Sequence, residues 1–73
     1  MQEVSRTSVY FMDKDYEVVI YKVNHTPIGA LYPVKVDGNP YTLKRVHDTW
    51  ECSRLNDALL EMVGKEIDKL SMF

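Results

Sequence analysis

Residues 53–70 read SRLNDALLEMVGKEIDKL, from Ser53 to Leu70, and this stretch decides the fold. Leu55, Ala58, Leu59, Met62, Val63, Ile67 and Leu70 recur at three- and four-residue steps, so on a 3.6-residue period they share one side of a helix. Leu60 widens that stripe, while Arg54, Asp57, Glu61, Lys65 and Asp68 take the other side. Ser53 is the expected N-cap, with Asp57 near the positive end of the helix dipole and Lys65 and Lys69 near the negative end. Asn56 stands where a capping box would carry Glu or Gln. Gly64 costs about 1 kcal/mol relative to alanine inside a helix; it either admits another backbone or is a tolerated surface glycine. Glu66 falls within the apolar arc and needs a cationic partner or exposure, because a buried unpaired carboxylate is costly. Such a helix must bury its stripe against something, and the fifty residues before it have the composition of a sheet.

Working upstream, Trp50 is expected to cover the sheet end or the start of the helix, and His47-Asp48-Thr49 to lead the chain out of the sheet. Asp37-Gly38 between two alternating runs favours a type I′ hairpin, since both residues accept positive φ. A two-residue loop there sets Val34 opposite Tyr41 and Tyr32 opposite Leu43, whereas a four-residue loop through Pro40 sets Val36 opposite Tyr41. Both registers build the same apolar face. Pro33 cannot donate to a ladder, which places its strand at an edge or breaks it there. Asn24-His25-Thr26-Pro27 reads as a turn, and Asp13-Lys14-Asp15 as a shorter one. Between them YEVVIYKV, residues 16–23, is apolar on both sides, the pattern of a central strand or of one covered by another chain. The expected fold is α+β: a three- to four-stranded antiparallel meander sheet, order close to sequential, with one C-terminal helix packed on one face. Strands are expected at about 4–12, 16–23, 28–36 and 41–46 and the helix at about 53–70, in a single small domain over residues 1–73.

A chain of 73 residues buries only about 60% of its unfolded surface, so stability is marginal. One cysteine, Cys52, excludes a disulfide within the chain and fits a reducing cytoplasm. The acidic N-terminus is unlike a secretory leader, and no run approaches a membrane span, so no membrane is expected. The compact chain without sorting signals suggests a bacterial or phage cytoplasm. Net charge is −2, with six Lys/Arg against seven Asp/Glu in residues 1–52 and three against four in residues 53–73. Neither a basic arm nor an acidic tail emerges.

Three groups of residues could carry function. His47, Asp48, Glu51 and Cys52 have the residue types of a metal or Cys-His site, but one Cys and one His lack a second ligand pair. No catalytic, metal or cofactor residues are assigned from them. Lys35, Tyr41, Lys44 and Arg45 form a basic and aromatic hairpin able to stack bases and hold phosphates. Against it stands a pI of about 5.5. The third group is apolar surface beyond the needs of one helix and one sheet: Val19, Tyr21, Leu60, Ile67, Leu70, Met72 and Phe73. The expectation is a non-enzymatic protein-interaction module binding itself or another chain, with nucleic-acid binding through residues 28–47 as the alternative.

Overall fold

The computed structural model describes residues 2–47, 49–52 and 54–70. Its elements are β1 (Glu3–Phe11), β2 (Lys14–Tyr21), β3 (Asn24–Thr26), β4 (Gly29–Val36), β5 (Asn39–Val46), β6 (Thr49–Glu51) and α1 (Asp57–Asp68). The strands form one antiparallel sheet in the order β1-β2-β4-β5-β6, with β3 paired to β4 beside β2. The architecture is α+β with the helix following the sheet, and the described residues form six strands rather than three to four.

Both additional strands come from segments that read as connections. Ile20 faces Val34 and Asn24 faces Leu31, so four steps along one side match three on the other. β2 and β3 are therefore one bent strand interrupted by a bulge at Lys22-Val23. Asn24–Thr26 lies in the ladder, and the chain reverses at Pro27-Ile28, where the Thr26 hydroxyl donates to the Gly29 carbonyl at 2.7 Å. Likewise Thr49–Glu51 returns along β5 after His47, whose φ is 57°. Polar composition signalled a loop in both places, but pairing with an available strand won.

The turns fix the register. Asp37 and Gly38 have φ of 51° and 82°, as a type I′ turn requires. The two-residue loop is the one observed, with Val34 opposite Tyr41 and Tyr32 opposite Leu43. The first hairpin turns at Met12-Asp13, with φ of 52° and 61°, one residue before the expected break. A left-handed methionine costs about 1–2 kcal/mol, so composition would not have placed the turn there.

Pro33 was expected at an edge or a break, and the ladder on one side of β4 is interrupted there: β3 pairs with Gly29–Leu31 and β2 with Val34–Val36, so Pro33 falls between the two. The pair that closes a two-residue hairpin, Val36 with Asn39, is hydrogen-bonded, and bonded and non-bonded pairs alternate from it. Pro33 opposite Thr42 and Pro40 opposite Lys35 thus both occupy non-bonded pairs. The donor that Pro33 lacks would point at the bulge between β2 and β3. The donor that Pro40 lacks would point to the outer side of β5, beyond the reach of β6, whose ladder begins at Lys44.

Strand alternation brings Val9, Val18, Ile20, Val34, Val36 and Leu43 into one core with Leu55, Leu59, Leu60, Val63 and Ile67. The cap of α1 is Asn56, not Ser53, which lies outside the described residues: the Asn56 Oδ1 accepts from the Ala58 N–H at 2.9 Å. Leu55 just before the cap and Leu60 at the fourth helical position are both buried, the positions of a hydrophobic staple. Gly64 is buried and admits a side chain rather than another backbone, because the Trp50 indole lies against it. Tyr32 meets the same indole edge-on at 4.9 Å, and the Arg45 guanidinium stacks over it at 4.9 Å while pairing with Asp68.

A methyl group at Gly64 would overlap Nε1, Cδ1 and Cε2 of Trp50. Gly64→Ala should therefore lower stability by up to about 2 kcal/mol, the overpacking cost of about 1–3 kcal/mol being offset by a helix-propensity gain of about 1 kcal/mol. Urea denaturation checks this; a raised midpoint would show that the indole steps aside.

Candidate interaction surface

Residues opposite one another across a ladder share a face. The register therefore assigns Arg6, Glu17, Val19, Pro33, Lys35 and Lys44 to the face turned away from α1. Val19 is 5% exposed there and stands apart from the core cluster. Its cross-strand neighbours are Arg6 and Lys35. The second apolar side of the central strand is thus largely filled from within the chain. Tyr21, half-buried, joins Pro33, Lys35, Pro40 and Thr42 around a groove of about 340 Å³.

Two members of the apolar patch expected on the helix are buried instead. Leu60 and Ile67 are 4% and 3% exposed and belong to the core, because a sheet wider than four strands covers a wider helical stripe. Leu70 is half-buried against the same core, and Met72 and Phe73 lie outside the described residues. Glu66 finds its partner within the helix end, pairing with Lys69 at 2.9 Å.

Exposed apolar side chains gather elsewhere. Among the described residues the exposed large hydrophobics are Val4, Tyr10, Met12 and Ile28, and the first three lie on β1 or its turn. β1 is the outermost strand of the sheet. On it the Arg6 guanidinium donates to Glu3 at 3.0 Å and to Glu17 at 3.1 Å, which holds the Glu3 carboxyl below its usual range. The Tyr10 hydroxyl donates to the Asp13 carboxylate at 3.1 Å. The apolar content of residues 4–12 was legible in the sequence, but its place at a free edge depends on the topology.

The four basic and aromatic residues are divided between the two faces of the sheet, with Lys35 and Tyr41 meeting only at the groove beside Pro40. Lys35 and Lys44 lie on the face away from α1, whereas Tyr41 and Arg45 lie on the covered face. Tyr41 packs against the core beneath Arg54, and Arg45 is committed to Asp68. His47 and Glu51 are exposed, Cys52 is half-buried against the core, and Asp48 lies outside the described residues. Among the described residues no three His, Cys, Asp or Glu side chains are placed to hold a metal ion. No described helix is long and apolar enough to cross a membrane. Compared with protein-family models, curated proteins and solved structures, the chain has no significant match.

Asp37 ties the third turn to the second strand. Its N–H donates to the Glu17 carbonyl at 2.8 Å, its carboxylate accepts the Glu17 N–H at 3.0 Å, and it pairs with Lys14 at 2.9 Å. Lys14 first, and the Glu17 N–H second, hold the Asp37 carboxyl below its usual range. The unfolded chain therefore binds this proton more tightly than the folded one. The contribution is complete above the ordinary aspartate pKa of about 3.9 and is lost as pH falls through the depressed folded value. Asp37→Asn keeps the turn, since Asn-Gly also forms type I′. Its stability should fall less steeply with acidification than that of the natural chain, with Glu3 supplying part of the remaining slope. Urea titrations at a series of acidic pH values measure both slopes, and identical slopes would refute the assignment.

Proposed function

We propose that this protein is a small non-enzymatic interaction module, working in the cytoplasm, that associates with itself through its sheet. One observation carries the reading: the helical stripe is consumed by the core, while Val4, Tyr10 and Met12 stand exposed along one outer strand and its turn. Large apolar side chains collected at one border of a small domain are the usual mark of a protein contact. The absence of catalytic duty is supported by where the perturbed ionisable groups lie. Glu3, Arg6, Lys14 and Asp37 form surface pairs, not a set converging in a cleft. The placement of Lys35 and Lys44 on one face and of Tyr41 and Arg45 on the other supports a protein contact over a nucleic-acid platform.

Sedimentation equilibrium over a concentration series tests the proposal. A dimer should be substantially populated by about 100 μM chain, an affinity in the micromolar range. A monomer throughout that range would overturn it.

A further inference from the structure

We infer that β1 pairs antiparallel with β1 of a second copy of this chain, across a two-fold axis at Ser8, so that two sheets become one. This rests on the self-association proposed above and assigns its surface and register. The first ground is the contrast between the two sheet borders. Natural edges are blunted by short strands, proline and lysine. One border ends in β6, three residues long, with Pro40 on the outer side of β5 where β6 does not reach. The other is β1, nine residues long without proline or lysine, its Arg6 already paired with Glu3 and Glu17.

The second ground is hydrogen-bond direction. The two-residue turn makes Phe11 and Lys14 a bonded pair, so Val9 and Thr7 also bond to β2. Arg6, Ser8 and Tyr10 occupy the alternate pairs, and their N–H and C=O groups point out of the sheet. A two-fold axis at Ser8 engages all three: Ser8 meets the partner's Ser8, and Arg6 meets the partner's Tyr10 twice over.

The third ground is what that register sets side by side. Each Arg6 cation comes opposite an exposed Tyr10 ring, a favourable cross-strand and cation–π partner. Val4, 36% exposed at the β1 bulge, and Met12, 78% exposed in the turn, fall at the two ends of that ladder. Centring the axis on Arg6 instead would oppose two like charges. The same-charge approach that remains, Glu3 to the partner's Asp13, lies at the turn, where Arg6 already neutralises Glu3. Opposed residues share a face, so both helices lie on one side of the joined sheet.

Ser8→Pro tests the inference, because Ser8 makes no ladder bond to β2 and the substitution removes only the outward donor. Losing two hydrogen bonds across the axis should weaken the dimer about tenfold to a hundredfold, with the circular dichroism of the fold retained. In a Cys52→Ser background, Ser8→Cys should oxidise readily to a cross-linked dimer, since bonded opposed residues have Cα atoms about 5.5 Å apart. Arg6→Cys should not, because its counterpart is Tyr10. Unaltered association of folded Ser8→Pro, or equal cross-linking at both positions, would overturn the β1 pairing while leaving self-association standing. A natural chain that stays monomeric removes both. Should Ser8→Pro fail to fold, the cross-linking pair decides alone.

Discussion

One helix can cover only one face of a sheet, and that constraint organises this molecule. Leu55, Leu59, Leu60, Val63 and Ile67 close the core from one side, and each such burial contributes about 1.5–3 kcal/mol. A small domain with a net stability of about 5 kcal/mol cannot spare two of them. The closeness of α1 to the sheet is set where Trp50 lies on the bare backbone of Gly64, and Arg45 with Asp68 fastens the far end of the helix. The opposite face has no second layer. It manages with long charged side chains beside Val19, and with half-buried Tyr21 and Pro33.

Short turns do the remaining work. Two-residue reversals at Met12-Asp13 and Asp37-Gly38 determine which residues face the helix and also which backbone groups face sideways. The same alternation explains why Pro33 is harmless where β4 passes from β3 to β2, why Pro40 seals one border, and why the other border offers Arg6, Ser8 and Tyr10. Asp37 unites these roles: it sits in a left-handed turn, extends the contact with β2 through Glu17 and pairs with Lys14.

Much of this was written in local patterns. The stripe of residues 55–70, the doubly apolar run 16–23 and the Asp-Gly signal mark the helix, an inner strand and one hairpin, whose register was left between two alternatives. What was not legible depended on distant pairing. Asn24–Thr26 and Thr49–Glu51 have turn-like composition and become strands because β4 and β5 present partners. Ser53 and Asn56 are both good caps, and burial of Leu55 ahead of the helix favours the second. The burial of Leu60 and Ile67 was hidden for the same reason. Leu60 and Ile67 look superfluous until the sheet proves broader, and Tyr10 and Met12 look like ordinary strand residues until β1 proves outermost.

The position of α1 after all six strands has a consequence for biosynthesis. Each hairpin joins residues close along the chain, so the sheet can zip while translation continues. The helix that must cover it emerges after the strands. Until then Val18, Ile20, Val34 and Leu43 remain wet on a half-built scaffold. The nascent chain thus passes through a sticky, roofless stage, where chaperone shielding matters more than it does for the finished protein.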